Sequence, residues 1–143
     1  MDIRKKYPNI IPGLGKVTTP FGGKTETENP HMAIDVANKN GTPIKATVTG
    51  KIVGIERKKT DFGNSVLLRD SKGNIHRYSH LKQIFIHVGD KVKKGDQIAS
   101  MGDTGNSYSP SGGDASHLDY RITGKGGKEI NPTNILKKAY GSK

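Results

Sequence analysis

The sequence predicts an all-β, mainly antiparallel fold, and its composition and its recurring short runs carry that expectation. Gly reaches 19 of 143 residues, only 31% of residues are hydrophobic, and there is no Trp. Short runs rich in β-branched residues recur between turn signals. This balance points away from a helix bundle and toward short strands joined by turns. A chain of 143 residues is of the size of one domain, with a modest core.

Residues 1–16 are basic and punctuated by Pro8, Pro12, Gly13 and Gly15. They read as a lead-in, with the domain proper spanning 17–143. Strands are expected over Ala46–Ile55, Asn64–Arg69, Ile75–Leu81, Ile84–Val88 and Gln97–Met101, each rich in Val, Ile, Leu or Thr. Turns are expected at Gly41–Pro43, Ser71–Asn74 and Asp90–Asp96. The small, polar stretch Thr104–Ser116 reads as an exposed loop and, lying just before a histidine, as a cleft wall. A short helix is expected at Thr133–Ala139, bounded by Asn131 and Pro132. No fixed-period repeat is visible.

Cysteine is absent, which excludes disulfides, thiolate nucleophiles and Cys-type metal sites. Any metal must therefore use His, Asp or Glu. The formal charge of +11 favours polyanionic partners such as nucleic acid, anionic lipid surfaces or wall polymers. Few aromatics and no RNA-binding signature argue against nucleic acid. No apolar stretch approaches the roughly 20 residues of a membrane-spanning helix, so membrane insertion is not expected. The start MDIRKKYPNIIPG lacks the apolar segment of a secretory signal.

In His117–Ile122, Leu118, Tyr120 and Ile122 would share one strand face, and His117, Asp119 and Arg121 the other. That pattern fits a solvent-facing strand as well as a His and an Asp, roughly 7 Å apart at Cα, that converge on one ion. In Ile75–His80, alternation would put His76, Tyr78 and His80 on one side. His31 and Asp35, four apart, suit metal ligation only if the strand bends or begins at a turn after Pro30.

Ordered motifs from Val17 to Pro132 resemble the lysostaphin-like peptidoglycan endopeptidase domain. They are TPFGGK (19–24), HMAIDVA (31–37), GTPIKATVTGKI (41–52), FGNSVLL (62–68), YSHL (78–81), VGDKVKKGDQIASMGDTGNS (88–107) and SHLDYRI (116–122). The resemblance implies a two-sheet β fold with a surface groove, one zinc ion, and hydrolysis of stem peptides or cross-links of peptidoglycan. It implies that His31 and Asp35 bind the metal, and that His80 and His117 flank it and assist the reaction. The family's third ligand is the second His of its closing HxH motif. Here that position is Asp119.

In the family the missing histidine is understood to ligate through Nδ1, three bonds from Cα, as an aspartate Oδ is, so Asp119 reaches the same place. Carboxylate oxygen is an accepted zinc ligand. The exchange removes positive charge from the loaded site, which lowers Lewis acidity and moves preference toward Mn. His31, Asp35 and Asp119 are thus the expected metal ligands. The alternative is a catalytically degenerate domain of the same fold, serving as a wall-binding or assembly module. Expected partners are peptidoglycan and anionic wall polymers, with delivery as a virion part alongside virion proteins, by release at lysis, or within a larger exported protein. His76 is read as supporting the cleft without ligating, His87 as a surface or packing residue, and Gly102 and Gly105 as serving tight backbone rather than phosphate binding.

Overall fold

A computed structural model describes residues 9–24, 28–105 and 115–141. Its strands are β1 (Ile10–Ile11), β2 (Gly15–Thr19), β3 (Ile34–Ala37), β4 (Pro43–Lys45), β5 (Gly50–Glu56), β6 (Ser65–Asp70), β7 (Ile75–Ser79), β8 (Leu81–Ile84), β9 (Lys91–Val92), β10 (Gln97–Met101), β11 (His117–Thr123) and β12 (Glu129–Ile130), followed by helix α1 (Thr133–Gly141). A nine-stranded sheet runs β1-β2-β3-β11-β7-β6-β5-β9, with β12 beside β11, and a three-stranded sheet runs β4-β10-β8. Every strand pairing among the described residues is antiparallel. The expected all-β, two-sheet class is the observed one.

Alternation on β3 and β11 divides the large sheet into two faces. Ile34, Val36, Leu118, Tyr120 and Ile122 are buried in one core cluster with Ile44, Ile98 and Met101 of the small sheet and with Leu81. Asp35, His117, Asp119 and Arg121 occupy the intervening positions and so point from the opposite face.

Several boundaries differ from expectation for local reasons. Within residues 9–16, read as lead-in, β1 and β2 pair, and Ile11 and Leu14 are fully buried. The Pro/Gly punctuation there is the turn of a small hairpin. Residues 46–49 are not strand, because Thr47 turns into the core, where Tyr78 accepts a hydrogen bond from its amide at 3.0 Å. The run Ile84–Val88 ends as strand at Ile84. Beyond it Asp90 closes a turn, accepting from the His87 amide, and Phe85, His87 and Val88 are exposed. The helix runs two residues past its expected end, capped by Asn131, whose Oδ1 accepts from the Thr133 amide.

A buried polar chain crosses the core. The Tyr78 hydroxyl lies 2.6 Å from Thr47 Oγ1, which lies 2.7 Å from the Tyr120 hydroxyl. Tyr120 reaches His76 Nδ1 at 2.7 Å, and His76 Nε2 reaches Asp70 at 2.9 Å. A single direction satisfies every member: Tyr78 donates to Thr47, Thr47 to Tyr120, Tyr120 to His76, and His76 to the Asp70 carboxylate. His76 therefore belongs to the core and not to the cleft.

Candidate metal centre

Asp35 and Asp119 are direct Cα partners across the β3–β11 pairing, so the two carboxylates rise side by side from one sheet face. His31 joins them from the loop before β3, which begins only at Ile34. Its main chain is pinned there: the His31 amide donates to the Gly23 carbonyl, and the Gly22 amide donates to the His31 carbonyl, both at 2.7 Å. The TPFGGK segment thus places the imidazole, and the four-residue spacing works because His31 stands outside the strand.

One donor atom from each of His31, Asp35 and Asp119 lies within 4.8 Å of the others. His31 Nε2 and Asp35 Oδ1 are buried, 3.1 Å apart, and not aligned as a hydrogen bond. Buried polar atoms without partners are costly and call for an explanation. A shared cation is the simplest one. His31 Nδ1 donates to Glu28 Oε1 at 2.9 Å, which fixes the tautomer and turns Nε2 toward the carboxylates, as is usual for a metal-binding histidine. Burial opposes a charge on His31, but Asp35, Asp119 and Glu28 outweigh it and raise its pKa. The residues fit a divalent ion.

His80 and His117 stand beside this cluster with ring centroids 4.4 Å apart. Strand alternation would have put His80 on the core face with His76 and Tyr78. His80 instead has φ +63°, ends β7, and swings to the site face. The left-handed backbone is held from several sides. The His80 amide donates to the Phe62 carbonyl, the Gly102 amide donates to the His80 carbonyl, and His80 Nδ1 donates to the Thr104 carbonyl at 2.7 Å. Close approach of the two loops requires glycine at Gly63, where a Cβ would overlap the Thr104 carbonyl.

His117 Nδ1 donates to the Ala115 carbonyl at 2.9 Å. Both rings thus spend Nδ1–H on a carbonyl and keep Nε2 as a proton acceptor. Burial, reinforced by neighbouring His117, lowers the pKa of His80 despite the opposing pull of the Thr104 carbonyl, Asp119 and Asp35.

Sequence reasoning missed Glu28 and Phe62, and placed Arg121 on the polar face without a role. Arg121 donates from Nε and Nη2 to the two Asp119 oxygens at 3.0 and 2.9 Å. It also donates to both Glu28 oxygens at 3.2 and 3.3 Å, and Phe62 stacks on it with Cζ 4.5 Å from the ring centroid. Alternation on β11 was the signal that marked Arg121. His87 is exposed, as expected of a surface residue. Of the loop expected as a cleft wall, 106–114 lie outside the described residues, as do 1–8 of the lead-in.

Residues 29–132 match the model of peptidase family M23. An uncharacterized metalloprotease of Buchnera aphidicola is 36% identical over 115 residues, covering 80% of this chain and 28% of the relative. The murein hydrolase activator NlpD of Escherichia coli is 30% identical over 125 residues, covering 87% of this chain and 30% of the relative. This chain spans about a third of the length of these relatives. Among solved structures, the catalytic domain of the antimicrobial peptidase lysostaphin from Staphylococcus simulans superposes with a TM-score of 0.73 at 30% identity, covering 86% of this chain and 92% of that one.

Proposed function

This chain belongs to peptidase family M23, and from that premise we propose that it is a metal-dependent endopeptidase acting on stem peptides or cross-links of bacterial peptidoglycan. The observation that carries the reading is the convergence of His31, Asp35 and Asp119 within 4.8 Å, with His80 and His117 alongside. His31 Nε2, an Asp35 oxygen and an Asp119 oxygen would hold one divalent ion, zinc or manganese. Such an ion supplies Lewis-acid polarisation of the scissile carbonyl and activation of water.

Hydrolysis of an amide consumes one water and needs a proton moved from it to the departing nitrogen. His80 and His117 are suited to that transfer, because each presents an unprotonated Nε2 whose orientation is fixed by a backbone carbonyl at Nδ1. Protonated, either imidazole also stabilises the negative oxygen that develops on the carbonyl. The charge of +11 favours accumulation on an anionic wall.

The test is metal content and turnover on one preparation. Protein purified without chelator should carry close to one equivalent of zinc or manganese and release amino groups from purified peptidoglycan. Chelation should abolish release and added metal should restore it. Metal below roughly a tenth of an equivalent, with no uptake of added zinc or manganese, would overturn the reading.

One observation favours a second reading, a metal-free wall-binding or activator module: Asp119 is already paired at both oxygens by Arg121. Under that reading the parent is metal-poor and inert, yet still sediments with peptidoglycan.

A further inference from the structure

An imidazole offers a metal one atom at a time, whereas a carboxylate offers two. An aspartate in the third ligand position therefore brings a specific hazard. It can chelate through both oxygens, raise the coordination number by one, and crowd the position that catalysis must leave open. The side chain beside Asp119 bears directly on this.

Arg121 meets Asp119 fork to fork, Nε to Oδ1 at 3.0 Å and Nη2 to Oδ2 at 2.9 Å. A guanidinium in this arrangement occupies the two inner lone pairs of the carboxylate, the pair that a chelating ion needs. One outer lone pair on each oxygen is left. The fork cannot readily turn away. Its Nη1 and Nη2 also bond Glu28, the carboxylate that orients His31, and the ring of Phe62 covers its face. The side chain is 14% exposed.

We propose that Arg121 is a positioning residue that keeps Asp119 a one-oxygen ligand and so preserves an open coordination position at the metal. Lysine cannot substitute, since an ammonium keeps the charge but presents no planar fork. The inference rests on the metal-binding reading above. It assigns to Arg121 no contact with substrate.

The test uses cobalt(II) as the probe ion, because its visible absorption is strong in four-coordinate sites and weakens as the coordination number rises to five and six. The parent, Arg121→Lys and Arg121→Gln are loaded with one equivalent, with folding checked by circular dichroism and urea midpoint. The expected result is strong absorption in the parent and a severalfold loss in both variants at equal cobalt content. In an Asp119→His background, where the ligand cannot chelate, Arg121→Lys should leave the spectrum unchanged. A merely structural role for Arg121 would not produce that dependence on residue 119. Equal spectra for the parent and the folded Arg121 variants would overturn the proposal, and so would a weak, high-coordinate spectrum in the parent. Failure of the parent to bind cobalt, zinc or manganese would overturn this inference together with the function it rests on. Binding with unchanged spectra would overturn this inference alone.

Discussion

The imidazole rings of His80 and His117 lie 4.4 Å apart, and one residue, Gly102, ties their main chains together. The Gly102 amide donates to the His80 carbonyl, and the His117 amide donates to the Gly102 carbonyl. His80→Ala and His117→Ala should each lower turnover on peptidoglycan about 100-fold or more, with metal content unchanged, as expected of proton-transfer groups. The double variant should lose less than the product of the single losses, because the two act as a unit. His87→Ala, on an exposed turn, should leave turnover as it was. Equal losses at all three positions would refute the roles assigned.

Gly102 also sets the spacing of that pair. A Cβ there would come within 2.7 Å of the Lys82 amide nitrogen, so Gly102→Ala must shift either β8 or the link to His117. The expected outcome is a roughly 10- to 100-fold fall in turnover from misplacement of the rings. Elemental analysis should find the metal retained, since the Gly102 peptide bonds neither His31 nor Asp35 and meets β11 at His117, two residues before Asp119. Metal loss equal to the activity loss would show that the disturbance spreads farther.

Stability should fall with pH in two stages. Burial lowers the pKa of His76 below its ordinary 6.5, against the pull of Asp70. The unfolded chain then takes up a proton below about 6.5 that the fold resists, and acidification favours unfolding. Burial would raise the Asp70 pKa from 3.8, but hydrogen bonds from His76, Asn74 and Lys72 outweigh it and hold the pKa at about 2. Its contribution, on the order of 2 kcal/mol, is full above the ordinary carboxylate value and disappears as pH falls from about 4 through 2. Urea midpoints measured across this range should show both stages. Asp70→Asn should lower the midpoint at pH 7 and remove the more acidic one.

Thr47→Val removes the hydroxyl that joins Tyr78 and Tyr120. Thr47 accepts from Tyr78 and donates to Tyr120, so the isosteric change strands the Tyr78 donor and leaves Tyr120 short of one bond in the buried core. The expected loss is about 1–3 kcal/mol by urea denaturation. Metal content at neutral pH should be unaffected, because the hydroxyl lies on the core side of the sheet. No change in midpoint would mean that the chain of hydrogen bonds contributes nothing to folding.

The class of fold and the grouping of His31, Asp35 and Asp119 were legible because both follow from period-two patterning and ordered motifs. Leu118, Tyr120 and Ile122 alternate with His117, Asp119 and Arg121, and that alternation is what divides the sheet into a core face and a site face. What alternation could not show is where it breaks. His80 leaves the pattern through a left-handed backbone that depends on the loops at Phe62 and Thr104, which are remote in sequence. Thr47 sits in a β-branched run that reads as strand, yet its hydroxyl bends it into the core. Glu28 and Phe62 carry no periodic signal, because they act from loops, and their partners become neighbours only when the sheet closes.

On β11 the proposed ligand Asp119 and its fork Arg121 flank Tyr120, a member of the buried hydrogen-bond chain. A slip of this strand by one residue would carry an ion pair into oil and a tyrosine into water, while separating Asp119 from Asp35. Misregistered pairings of the central strand are therefore penalised twice, by the core and by the carboxylates. A mispaired molecule cannot bring Asp35 and Asp119 side by side, so the carboxylate pair itself reports the correct register.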